Sequence, residues 1–262
     1  MKLKIESVEG FYSFIRSIKS IAPGAIFVIG HNGCVVKARN ESASIRAFFK
    51  TNVIRTINDK GEKAGDDIAT LPFLDLTKLM QAVKMVIETN KDEDEAIFSV
   101  TKQFLTYNGN AKFKLKLFNE AHLTFHTTEL LKTKLDEVFS FDMTAEQFKY
   151  TLKYKGITGE KDPKIYVYTK DGIVMAEHDD KNQNLVDSLG IPVANVFDGE
   201  LNNPICININ NSYSKFNPLG ADNIEIALQE LNGKPACLKV RSNIVVGNNI
   251  NAVEIISKIL EK

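Results

Sequence analysis

The chain has no surplus of either charge. Its 33 Lys and Arg balance 33 Asp and Glu, for a formal net charge of +0 at pH 7. A globally basic surface therefore does not advertise nucleic-acid binding, although a local basic face among acidic surroundings stays open. Arginine is scarce, confined to Arg16, Arg39, Arg46, Arg55 and Arg241, so lysine supplies most of the cations. Long apolar runs are missing. No window approaches the roughly 18 uninterrupted apolar residues of a membrane-spanning helix, and Lys2, Lys4, Glu6 and Glu9 interrupt any secretory apolar region. Cysteine is nearly absent as well. Cys34, Cys206 and Cys237 are odd in number and lack CxxC spacing, which excludes a disulfide framework and predicts reduced thiols. These absences predict a soluble, cytoplasmic chain. Its 262 residues suit two domains of ordinary size.

What is there is repetition. Residues 25–39 read AIFVIGHNGCVVKAR and residues 164–178 read KIYVYTKDGIVMAEH. At one offset Ile26 meets Ile165, Phe27 meets Tyr166, Val28 meets Val167, Gly33 meets Gly172 and Val35 meets Val174. Each copy alternates like a strand, turns at a glycine and alternates again. A short amphipathic helix precedes each, opening on Ser7-Val8-Glu9-Gly10-Phe11 and Thr144-Ala145-Glu146-Gln147-Phe148.

The order of elements follows from the same patterns. A strand at 3–6 leads to a helix over 8–22, with Val8, Phe11, Ile15, Ile18 and Ala22 at helical spacing before Pro23-Gly24. After the first hairpin come a β-rich run at 45–57 and a polar loop at 60–67. Asp75 is placed to cap a helix running to Thr89, with Leu76, Leu79, Met80, Val83 and Val86 on one face. Strands are predicted at 96–101, 103–107 and 111–118, the last two joined by Asn108-Gly109. The second half repeats the order: a strand at 138–143, a helix opened by the Thr144–Gln147 capping box, the second hairpin, and strands near 184–197 and 205–209. A helical segment near 210–217 and strands at 223–231 and 236–241 follow, the last two joined by Asn232-Gly233. The segment 252–262 reads either as a strand with a tail or as a helix on Val253, Ile256 and Ile259/Leu260. The predicted class is α+β, with domains at 1–118 and 138–262 and a connector at 119–137.

No catalytic constellation emerges. His178-Asp179-Asp180 would place adjacent side chains on opposite faces of a strand. His122 and His126 lie in a segment with no firm helical pattern, and neither group has convincing metal-ligand spacing. Residues 91–95 read as a charged loop. Gly156–Gly159 lacks the spacing and the Lys-Ser/Thr of a phosphate-binding loop. The expectation is a protein that is not an enzyme and needs no cofactor and no metal.

Several stretches carry a family resemblance. They are the loop Ala38-Arg39-Asn40-Glu41-Ser42-Ala43-Ser44-Ile45, the helix openings Leu74–Leu79 and Met143–Phe148, and the segments Gly109–Leu115 and Pro204–Lys215. In this order they resemble the two-domain sliding DNA clamps, the family of the eukaryotic and archaeal proliferating-cell antigen and the T-even-phage polymerase clamp. Gly109–Leu115 and Pro204–Lys215 look more like the phage branch, so a viral or phage protein is expected, acting in a host cytosol or a replication compartment.

The resemblance implies the DNA-clamp fold, with helices inside and β-sheets outside a head-to-tail homotrimeric ring. It implies a processivity factor for DNA replication that encircles double-stranded DNA without reading sequence, tethers DNA polymerase and relies on an ATP-dependent clamp loader. Its DNA-facing channel would use Arg16, Lys19, Lys78, Lys84, Lys149, Lys153, Lys155 and Lys215, since phosphate contacts attract without specifying. A partner-peptide pocket would be built from Ile45, Ala47, Leu130, Leu131 and Pro235. The subunit interface would pair Lys112, Phe113, Lys114 and Leu115 of one copy with Val174, Met175 and Ala176 of the next. Residue by residue, each of these also has an ordinary reading as a solvated helix face, a packed junction or a lysine-guarded edge. The competing function is a non-enzymatic viral ring or structural assembly protein built of duplicated α+β domains, which a channel without basic groups would favour.

Overall fold

The computed structural model describes all residues except 42–44, 63–64, 66, 91–92, 125–134, 154–163, 180–187, 202–203, 209–221, 247–248 and 259–262. The chain divides into two compact units, Met1–Leu130 with Ile244–Val253, and Leu131–Asn243 with Glu254–Lys262.

In the first unit, β1 (Lys2–Ile5) leads into α1 (Val8–Lys19). The hairpin of β2 (Ala25–Gly30) and β3 (Gly33–Arg39) is followed by β4 (Ile45–Thr51), β5 (Ile54–Ile57) and β6 (Ala69–Phe73). Next come α2 (Leu76–Thr89), β7 (Ala96–Val100), β8 (Phe104–Asn108) and β9 (Lys112–Lys116). A 3-10 turn at Glu120–His122 lies beyond β9. The second unit opens with β10 (Asp136–Thr144) and α3 (Ala145–Lys153). The hairpin of β11 (Lys164–Lys170) and β12 (Ile173–Asp179) precedes β13 (Ser188–Ala194), β14 (Phe197–Gly199) and β15 (Ile205–Asn208). The chain closes with β16 (Asn223–Leu231), β17 (Lys234–Val246) and β18 (Asn249–Lys258).

Local chemistry sets the helix starts. The Ser7 hydroxyl accepts from the Gly10 amide at 3.0 Å, and Asp75 Oδ1 accepts from the Thr77 amide at 2.8 Å. At α3 the capping box is complete: Gln147 N–H donates to Thr144 Oγ1 at 3.1 Å, and Thr144 N–H donates to Gln147 Oε1 at 2.8 Å. A second cap on α1 comes from far along the chain. Asp94 Oδ1 accepts the amides of Val8 at 2.9 Å and Glu9 at 3.3 Å, so the acidic run at 91–95 contributes a helix cap.

The duplication is complete at the level of topology. Strands from the first half of the chain run in the orders β5-β1-β7-β8-β9 and β4-β3-β2-β6, and those from the second half in the orders β14-β10-β16-β17-β18 and β13-β12-β11-β15; the end of β17 and the first part of β18 belong to the first unit. Each order from the second half is that of the first half with every label raised by nine. The two amphipathic helices correspond too, since Phe11 and Phe148 hold the same place after their caps and both are buried.

The hairpins correspond less closely than their sequences. Gly30 opposes Gly33 in the first, leaving His31-Asn32 as the turn, whereas Lys170 opposes Ile173 in the second, leaving Asp171-Gly172. Asp171 and Gly172 take φ of 52° and 76°, the left-handed pair that suits a tight hairpin. Gly33 instead opens a strand, and a Cβ there would meet the Thr51 carbonyl oxygen at 2.2 Å. The matched glycines thus serve a turn in one copy and a close backbone approach in the other.

Two further expectations are corrected or decided, and a third falls outside the described residues. Asn232-Gly233 is a left-handed turn, with φ of 54° and 73°, but Asn108-Gly109 is not its echo. Asn108 opposes Lys112 across a three-residue loop at 109–111. The C-terminal segment is strand β18. The predicted helical segment at 210–217 lies outside the described residues.

An aromatic cluster anchors the first core. Phe14 meets Phe27 and Phe49 edge-on at 6.4 and 6.3 Å, and Phe27 meets Phe11 and Phe73 at 6.3 and 5.7 Å. Each buried ring contributes about 1.5–3 kcal/mol by leaving water, and edge-on pairs add about 0.5–1.5 kcal/mol. Phe14 is absent from the predicted apolar stripe of α1, although it is only 2 % exposed. Cys34, Cys206 and Cys237 are free and buried, and burial pushes the Cys34 thiol far above its ordinary value.

Candidate nucleic-acid interface

In the first unit the candidate cations stand on two helices that pack against each other. The inward face of α1 carries Val8, Phe11, Phe14, Ile15 and Ile18, and that of α2 carries Leu76, Leu79, Ala82, Val83 and Val86. With those residues committed to the core, Arg16, Lys19, Lys78 and Lys84 are left exposed. Backbone contact ties the end of one helix to the start of the other: the Leu76 amide donates to the Pro23 carbonyl at 2.8 Å. The electrostatics agree. Hydrogen bonding from Thr77, with further help from the ammonium groups of Lys78 and Lys19, holds the Asp75 carboxyl below its ordinary 3.8. Lys19 and Lys78 therefore share one neighbourhood, with Asp75 between them as helix cap. Lys84 pairs with Glu88 at 3.5 Å, an exposed contact of little net worth.

In the second unit, α3 buries Phe148 and Thr151 and exposes Lys149 and Tyr150. The Thr151 hydroxyl donates to the Phe148 carbonyl at 2.7 Å, which removes it from the polar face. Of the remaining channel candidates, Lys155 and Lys215 lie outside the described residues, as does the side chain of Lys153.

The predicted peptide pocket is less accessible to description. Leu130, Leu131 and the side chain of Ile45 lie outside the described residues. Pro235 is exposed at the start of β17. Ala47, however, is fully buried opposite Ala38, so it supports the sheet from beneath and offers a partner no surface.

The predicted subunit edge is half corrected. Among the described residues β9 ends its sheet, paired with β8, and presents Lys112, Lys114 and Lys116 outward while Phe113 and Leu115 turn toward Tyr107 and Leu105. Lys114 Nζ lies 3.9 Å from the centre of the Phe104 ring. Val174, Met175 and Ala176 belong to β12, which is paired with β11 on one side and β13 on the other. Its backbone has no free edge for a second copy, and Val174 and Ala176 are buried. Among the described residues the strands that end this sheet are β13, beside β12, and β15, beside β11. Edge status depends on pairings far apart in sequence, which strand alternation alone does not reveal.

Among the described residues, no group of three or more His, Cys, Asp or Glu is placed to hold a metal ion. No helix among them is long and apolar enough to cross a membrane. The second unit's sheet face is instead laced by charge pairs: Arg241 is bonded to Glu225 and, at 2.8 Å, to Glu137.

No family model and no curated protein matches the sequence. Solved structures do. The proliferating cellular nuclear antigen of Entamoeba histolytica superposes with a TM-score of 0.71 at 16% identity, over 99% of this chain and 98% of that one. The chain has the sliding-clamp fold. The A. fulgidus clamp, solved with the C-terminal region of FEN-1 bound, superposes at 0.74 with 14% identity over 100% of both chains. The Thermococcus kodakaraensis clamp does so at 0.69 with 15% identity, over 98% of this chain and 99% of that one. The clamp fold accounts for the doubled topology and for the amphipathic helix that opens each unit.

Proposed function

We propose that this chain is a sliding clamp, a processivity factor that encircles duplex DNA and tethers the replication polymerase. The observation that carries the reading is likeness along the whole chain to proliferating cellular nuclear antigens, both units included. Exposed cations on α1, α2 and α3 supply sequence-independent attraction to phosphates, which permits sliding. Lys153, Lys155 and Lys215 extend that set by resemblance. Ile45, Leu130, Leu131 and Pro235 are assigned to the pocket for partner peptides; the A. fulgidus clamp, which binds the C-terminal region of FEN-1, supports such a site. The protein acts by topology and has no chemistry of its own, so an ATP-dependent loader must open and close it.

Three copies form the ring, head to tail. Of the strands that end sheets among the described residues, β9 and β13 are assigned to that contact. The β9 edge carries Lys112, Lys114 and Lys116 and no acid, whereas β13 carries no charged residue, so no like charges oppose one another and main-chain pairing would join the two edges. Light scattering at tens of micromolar tests the assembly. A mass about three times the 29.3 kDa chain is expected; a stable dimer contradicts a ring of six domains.

A further inference from the structure

One corner of the fold is filled in the first unit and open in the second. In the first, β5 follows β1 to its end: Ile54 opposes Ile5, and the Glu6 amide donates to the Val53 carbonyl at 2.7 Å. Val53 is fully buried there. The equivalent strands in the second unit are β10 and β14, and their pairing stops at Phe141 opposite Phe197. Asp142, Met143 and Thr144 run on without β14 beside them, and Val196 stands 77% exposed. The space left is a groove of about 510 Å³, walled by Asp142, Met143, Thr144, Ile173, Pro192 and Asn195. Met143 gives it an apolar floor, and the exposed carboxylate of Asp142 stands at its rim.

Pro192 and Asn195 place this groove at the end of β13, the free edge. Strand pairs with described registers are all antiparallel. A strand added to β13 in that sense brings its own N-terminal end to Ala194. For β9 that end is the exposed Lys112, preceded by the tight turn at 109–111.

We propose that the groove receives the β8–β9 turn of a second copy of this chain, with the Lys112 ammonium of that copy paired to Asp142. The inference rests on the edge-to-edge contact proposed above and adds the element that fixes its register. Lys/apolar alternation along β9 rejects a one-residue slip, which would turn its apolar side chains to the other face, but a two-residue slip preserves the pattern. A charge pair seated in a shaped groove rejects slipped alignments. The first unit fills this corner with its own Val53; the second leaves it for a neighbour.

Charge exchange tests the pairing, read as the assembly constant by sedimentation over a dilution series. Asp142→Lys and Lys112→Asp should each raise the dissociation constant by about fivefold or more. The double variant should return to within about twofold of the original. Both residues are exposed, so melting of the dissociated chain at high dilution should be unchanged; where Asp142→Lys melts early there, Asp142→Asn with Lys112→Gln carries the same test at smaller amplitude. An original chain that stays monomeric overturns the subunit reading, and the groove with it. Assembly unaffected by the single changes, or not recovered in the double, overturns the groove assignment alone.

Discussion

Removing Arg16 and Lys19 together should change how salt acts on DNA binding while leaving the fold in place. Both residues are exposed on α1, opposite the buried stripe of Phe11, Phe14, Ile15 and Ile18. Their replacement by Ala therefore opens no cavity. They do sit in the last turn of α1, where cations favour the helix dipole; that loss is about 0.3–1 kcal/mol, or a few degrees in Tm at most for a chain of this size. The effect on DNA is larger. Each phosphate contact contributes about 0.9 to the slope of log K against log salt. If duplex meets only the two side chains of one copy, the slope becomes shallower by about 1.8. Between about 50 and 200 mM salt, the fall in affinity is then roughly twelvefold smaller. Contacts from further copies would steepen the change. The assay is equilibrium anisotropy of a labelled duplex across that range, with Lys170→Ala, exposed at the end of β11, as control. An unchanged slope, or an equal change in the control, refutes the assignment of α1 to the DNA-facing surface.

Phe148→Ala should destabilise the second unit by about 3–5 kcal/mol, since this fully buried ring is the largest anchor of α3; urea unfolding checks it, and a loss under about 1 kcal/mol contradicts the packing. Asp75→Ala should cost about 1 kcal/mol at neutral pH through loss of the α2 cap. Because the folded carboxyl is held below its unfolded value, its contribution is present above about pH 4 and is lost as pH falls through the folded value. The gap between wild type and Asp75→Ala should therefore close in acid; a gap that stays constant contradicts the cap.

Much of this fold was legible because its signals are local. Ser7, Asp75 and the Thr144–Gln147 pair announce helix starts within three residues of their partners. The hairpins show in strand alternation around short polar turns. What was not legible depends on distant partners. Asp94 caps α1 from 86 residues away, and nothing in the acidic run singles it out. The final segment carries apolar spacing compatible with a helix, yet it is a strand, because sheet pairing overrides a short periodic pattern. Gly33 and Gly172 align in sequence but diverge in role through a one-residue shift of the turn. Of the candidate site, exposure of the helix cations followed from amphipathic spacing. The identity of the edge strand did not, since it depends on β13 pairing along β12, a partnership that the residues of β12 do not announce.

The central claim is topological, so the decisive measurement is residence on duplex DNA whose ends can be opened or closed. The protein is threaded onto a duplex tethered at one end, and its lifetime is followed with the other end free or capped by a bulky protein. A sliding ring escapes quickly from the free end and stays when that end is capped, even in salt that abolishes ordinary phosphate contacts. Equal lifetimes on open and capped DNA would contradict encirclement.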